Sequence, residues 1–362
     1  MLLSEILALK RTQTMLNKDQ KQELGEGATA IQAGGDVYVG VTATEARNIA
    51  LDVAKATFYE LSGDARVTAS NRVEVITDKV IEKLEKDFPA GLQKANDPDF
   101  QYALLTVQKE YARNGDEDLG DLLVDLLVDR SKQDNRNILQ IVLNESLATA
   151  PKLTDTQLSC LAIIFFFRYT QNQGVGNHAM LGKYFDKYVL PFAGRLAKNN
   201  ASYQHLDFTG CGSIQMGEIS IEDILGQHYQ GLFLKGFDSS EIETRGISIG
   251  RDPNFFIPCL NDPTKLQVRA NNKELLENAF NTFSIQDDDK NKIIALLDHG
   301  KMSTNEIRDK CIQIRPYMKD IFDIWSESPM KSLNLTSVGM AIGHANIKRL
   351  AGEFADLSIW VN

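Results

Sequence analysis

Apolar residues recur at helical spacing through most of the chain. From Thr42, Ala46, Ile49, Ala50 and Val53 repeat three and four apart, with Thr42 and Glu45 in capping-box spacing. The pattern resumes with Val73, Ile76, Val80, Leu84 and Phe88, and Pro89 ends it. Leu119, Leu122, Leu123, Leu126 and Leu127 form a further stripe, with Asp121, Asp125 and Asp129 recurring on the other face. The stretch from Cys160 to Phe167 is apolar on every face, which predicts a helix buried on all sides, with Thr154 or Asp155 as its cap. Helices are also expected over 178–198, 219–230, 272–283 and 290–297. Two more follow, one capped by Ser303 with Glu306 and one opening at Pro316.

Period-two patterning is rarer. Val37, Val39 and Val41 alternate with Tyr38 and Gly40, the signature of a short strand whose amides need a partner. GISIGR, FFIPCL and KLQVRA, between 246 and 270, read as a small β meander punctuated by Asp-Pro turns. HLDFTGCGSI (205–214) reads as a loop, and SLNLTSVGMAI (332–342) as a strand followed by a turn. The fold class is therefore mainly α, with helical domains, a small β element and a winged-helix-like C-terminal unit. The boundaries fall at 1–41 (an N-terminal segment), 42–150 and 151–284 (helical, the second with the meander) and 285–362.

Charge narrows the function. The chain has 39 basic and 49 acidic residues in 362, a net charge of −10, which disfavours broad contact with nucleic acid or anionic membranes. The putative recognition helix of a winged helix would bring Arg315 and Lys319 to a DNA phosphate, against Asp320, Asp323 and Glu327. The four cysteines form no CxxC pair and fit reduced thiols in a cytoplasm. His205 and Cys211 lack the surround of a catalytic pair. The row Asp121, Asp125, Asp129 reads as a solvated face beside cations, with a metal-dependent hydrolase using Asp121 and Asp125 as the remote alternative. No catalytic, cofactor or metal residue is assigned, and no stable membrane insertion is expected from an apolar run this short.

Two motifs resemble a known family. Tyr229, Gly231, Leu232, Phe233, Lys235, Gly236 and Phe237 (YxGLFxKGF), and Leu335, Thr336 and Gly339 in LTSVGMAIG, resemble the bacterial abortive-infection alpha (Abi-alpha) type of protein, as do Leu158, Leu161 and Ile163 in the apolar helix. IQAGGDVYVG resembles the front end of a family found near phage-defence genes. Ile31-Gln32-Ala33-Gly34 is similar to an amyloid-forming signalling motif, from which Ala33 and Val37 depart. The resemblance implies a non-enzymatic, self-associating cytoplasmic protein of antiviral defence, whose partners are further copies of itself and a phage component. Ile31, Gln32, Val37, Tyr38 and Val39 are the expected self-association residues. A transcriptional regulator using Arg315 and Lys319 is the alternative.

Overall fold

The computed structural model describes residues 40–57 and 61–362. The chain's first helices are α1 (Ala43–Thr57), α2 (Gly63–Asp87), α3 (Pro98–Asn114), α4 (Glu117–Ser131) and α5 (Ile138–Thr149). Their ends follow from local chemistry. The side chains of Asp97, Asp116 and Asn137 accept the amide hydrogens of Asp99, Leu119 and Gln140, so each caps its helix. Gly115, at φ +67°, supplies the left-handed residue that ends α3. Inside, Gln108 is fully buried and donates from its amide to Thr77 Oγ1 (2.9 Å) and Ala50 O (3.2 Å), tying α3 to α2 and α1.

The centre of the molecule is α6 (Asp155–Tyr169) packed on α16 (Ser337–Ala351). Thr154 and Gln157 close a capping box at the start of α6. Every residue from Gln157 to Phe167 is buried, as its all-round apolar pattern requires. Fully burying side chains of this size contributes roughly 1.5–3 kcal/mol each, as an upper estimate. The close approach depends on glycine. A Cβ on Gly343 would lie 2.7 Å from Leu161 O, and one on Gly339 would lie 1.8 Å from Cys211 O.

Between these two helices come α7 (His178–Tyr188), α8 (Leu190–Ala193), α9 (Asn200–Phe208), β1 (Gly212–Ile214), α10 (Ile221–His228), α11 (Ser240–Thr244), β2 (Phe256–Pro258), β3 (Leu266–Val268), α12 (Lys273–Phe283), α13 (Asp287–Asp298), α14 (Thr304–Ile314), α15 (Met318–Ser326) and β4 (Leu333–Leu335). Two antiparallel pairs carry the strands. β1 pairs with β4 in the register Ser213↔Asn334, and β2 pairs with β3 in the register Ile257↔Gln267. Residues Ala43–Asn362 make one compact unit.

Several local expectations need correcting. GISIGR is not a strand. The Ser248 N–H and hydroxyl both donate to the buried carboxylate of Asp289 in the first turn of α13, which bends the segment into a turn. The 205–214 loop is instead the end of α9 followed by β1. The strand expected near 333 is present, but its partner is β1, more than a hundred residues upstream. The residues after it form α16 rather than a turn, because the Thr336 side chain accepts the Gly339 amide and caps the helix.

Both family-like motifs serve this frame. A Cβ on Gly231 would lie 2.1 Å from Ala270 O, and Gly236 adopts φ +72° against Cys259 and Lys265. Leu234 bridges to Lys301 and Phe237 to Leu266. The YxGLFxKGF stretch thus stitches a small module, with its own core of Leu234, Phe237, Phe255, Phe280 and Leu297, to the helical body.

Replacing Gly343 by Ala should force α16 away from α6 and lower the unfolding free energy by about 1–3 kcal/mol. Gly339→Ala, blocked by backbone rather than by side chain, should cost more. Denaturant unfolding of the two variants beside the parent measures both, and an unchanged Gly339→Ala midpoint would refute the close approach.

Candidate functional site

The largest groove described, about 730 Å³, runs between α2, α4 and the end of α16. Helical spacing sets its walls. Lys79 and Lys83 stand one turn apart on α2, Asp121 and Asp125 one turn apart on α4, and Lys348 and Arg349 close the end. The charges interlock. Lys79 Nζ lies 2.7 Å from Asp121, and Lys83 Nζ lies 3.0 Å from Asp125 and 3.2 Å from Asp87. Lys348 Nζ spans both oxygens of Asp129 at 2.9 and 3.1 Å, and Arg349 donates to Asp118 at 2.6 Å.

Burial divides these pairs unevenly. The Asp125 side chain is 6% exposed and the Lys83 side chain 32%. Burial therefore dominates at Asp125 and pushes its carboxyl up despite the Lys83 ammonium. At Lys83 burial pulls the other way, and Asp125 and Asp87 more than offset it, so the ammonium is held above its usual range. Asp129 also suffers burial, but Lys348 and Lys132 overcome it and keep its carboxyl below the usual range.

Beside the groove, sharing Lys348, lies a pocket of about 190 Å³ with His344 on its wall. The ring is 2% exposed and stands edge-on to Phe165 (5.9 Å between centroids) and Phe354 (5.5 Å). Its Nε2–H donates to Ala355 O at 2.6 Å, because a carbonyl only accepts, and Nδ1 is a bare acceptor with no partner. Burial is the main cause that lowers its pKa. The Ala355 carbonyl, Asp129 and Asp356 oppose the shift, and Lys348 reinforces it.

The residues singled out from sequence fall elsewhere. Ile31, Gln32, Val37, Tyr38 and Val39 lie outside the described residues. Arg315 is taken up by Asp186 in a two-pronged ion pair (2.7 and 2.6 Å), to which the Tyr317 hydroxyl adds a third donor at 3.0 Å. Lys319 reaches Asp323 at 2.7 Å. The two cations intended for phosphate thus face carboxylates of their own chain. Asp121 and Asp125 meet lysines, and Asp125 is buried, so the row is not the solvated face expected of it. His205 Nδ1 lies 3.0 Å from Gln157 Nε2, while Cys211 is a buried thiol whose pKa burial raises. All four cysteines are free and buried.

The Lys79–Lys83 spacing on α2 was the available signal for the groove. His344 gave none, since an isolated histidine in an apolar helix is indistinguishable from a core residue.

A protein-family model matches residues 40–361, under the description “:-like”, which names no activity. No curated protein and no solved structure matches the chain. Among the described residues no helix is long and apolar enough to cross a membrane.

His344 predicts a pH dependence. Folding favours its neutral form, so its contribution is fully present above the unfolded value near 6.5 and is lost as pH falls toward the lower folded value. Asp129 acts in a separate window: its contribution is present above about 3.9 and is lost as pH falls through its lower folded value. Stability measured from pH 7 to 5 should therefore fall, and His344→Gln, whose amide can still donate to Ala355 O, should flatten that slope by up to about 1.4 kcal/mol per pH unit. Identical slopes for parent and variant would show that the ring is not held neutral.

Proposed function

We propose that this chain, a member of that uncharacterised family across residues 40–361, is a non-enzymatic protein that works by associating with further copies of itself. The observation that carries the reading is a solvent-facing apolar surface beside β1. Phe208 is 87% exposed, Ile214 37% and Met216 103%, in a stretch of chain without a charge from Phe208 to Gly217. Large apolar side chains gathered on one exposed patch favour burial against a partner. The groove supports the non-enzymatic reading from the other side, because its lysines and carboxylates neutralise one another.

The biological setting rests on resemblance. The YxGLFxKGF and LTSVGMAIG motifs are similar to those of Abi-alpha proteins, which supports a role in bacterial antiviral defence of the abortive-infection type, carried out in the cytoplasm. In this reading a phage component triggers assembly, and the assembled protein arrests the host. The IQAGGDVYVG segment, with Ile31, Gln32, Val37, Tyr38 and Val39, is the second contributor to assembly.

Light scattering on the full chain, combined with phage challenge of cells expressing it, tests the proposal. The expected results are a mass that is a multiple of 40.4 kDa and protection that falls when association is weakened. A monomer at every concentration, with or without infected-cell extract, would sink it. Deleting residues 28–41 separately tests the N-terminal contribution: unchanged mass and unchanged protection would remove those five residues from the mechanism.

A further inference from the structure

The β1–β4 pair has two outer edges, and they are treated differently. The β4 edge is sealed by side chains of α6. The Leu335 N–H donates to the Tyr169 hydroxyl at 2.9 Å, and Leu333 O accepts from Arg168. No such seal lies along β1. Within the pair, Gln215 N–H donates to Ser332 O (2.9 Å) and Thr336 N–H to Cys211 O (3.1 Å), in the register Ser213↔Asn334. In an antiparallel ladder the bonded residues alternate. Cys211, Ser213 and Gln215 therefore turn their backbone toward β4, and Gly212, Ile214 and Met216 turn theirs outward.

An open edge invites another strand, and proteins usually guard it with lysine, proline or a bulge. This stretch carries neither lysine nor proline between Phe208 and Gly217, and no charge of any sign. That last property bears on which strand fits. When a strand pairs with its own copy about a two-fold axis, each charge is brought toward its twin, and like charges opposite one another are destabilising. Here Glu218, exposed and paired with Lys331 at 3.1 Å, is the first charge beyond the segment.

We propose, building on the self-association reading, that two copies pair antiparallel through the outer edges of β1, about a two-fold axis at Ile214, giving one sheet in the order β4–β1–β1–β4. In this register Ile214 of one copy faces Ile214 of the second, and Met216 faces Gly212 of the second, so the longest side chain lies over the residue with none. The outward amides and carbonyls of Gly212, Ile214 and Met216 bond across the axis. Phe208, at the end of α9 just before β1, adds apolar area beside the seam.

The test uses the full chain and three variants. Ile214→Pro removes an outward N–H while leaving both β4-facing neighbours intact. Met216→Asp places a carboxylate in the seam from a fully exposed position, so folding is retained, and circular dichroism checks this. The double variant Ser213→Cys/Gln215→Cys puts thiols on residues that face each other across the axis in the non-bonded pair, about 4.5 Å between Cα atoms, within disulfide range. The native cysteines are buried and do not compete.

The proposal expects Ile214→Pro and Met216→Asp each to weaken the dimer by about tenfold or more in light-scattering titrations. It expects the cysteine variant to double its mass on a non-reducing gel under mild oxidation. An oligomeric parent whose mass is unchanged in both substitutions, with no covalent doubling, would overturn β1 pairing and leave self-association standing through another surface. If deletion of residues 1–41 alone abolishes the oligomer and the cysteines fail to cross-link, assembly runs through the N-terminal segment and β1 pairing is again overturned. A monomeric parent would overturn both this pairing and the function it rests on.

Discussion

The contact between α6 and α16 is the constraint from which the rest of the helical body follows. Two glycines on one face of α16 let its backbone rest against carbonyls, Gly343 on Leu161 O and Gly339 on Cys211 O. Neither position tolerates a methyl group without displacement of the main chain. The second contact also fixes β1, because Cys211 O is the acceptor for the Thr336 amide that leads β4 into α16. One run of residues, 333–343, thereby sets a strand register, a helix cap and a helix–helix distance together. That explains in physical terms why an LTxxG pattern recurs where a strand must turn at once into a buried helix.

Electrostatics plays a supporting part with an uneven distribution. The aspartates of α4 lie inward and the lysines of α2 and α16 reach in from the rim, their aliphatic stems covering apolar surface. An inward carboxylate feels burial most, so the same arrangement raises Asp125 and, where two ammonium groups converge, lowers Asp129. The groove is polar in composition and close to neutral in field. A net charge of −10 overall therefore belongs to the rest of the surface.

Helices were the legible part of the sequence. The Thr154 and Ser303 caps, the all-round burial of α6 and the 273–283 helix follow from short-range rules that do not depend on the rest of the chain. What failed was non-local. Nothing in SVGMAI marks it as the start of a helix until Thr336 is known to cap Gly339, and nothing in GSI announces a strand until Leu333–Leu335 arrives to pair with it. GISIGR has the alternation of a strand, and a single buried carboxylate at Asp289 overrides it. For the groove, the lysine and aspartate rows were each visible, but only tertiary packing shows that they face each other. The residues expected to assemble the protein, from Ile31 to Val39, lie outside the described residues, so the surface at β1 was reached from geometry alone.

The module stitched on by the YxGLFxKGF stretch leaves and rejoins the body at adjoining points. Leu234 and Lys301 bridge to each other at its base, and the helices that flank it, α10 and α14, pack together. A segment with its own core and neighbouring ends is topologically an insertion. Its loops can grow, shrink or be exchanged without shifting the bundle beneath, so natural variation and grafted peptides alike would find room there, far from the α6–α16 contact.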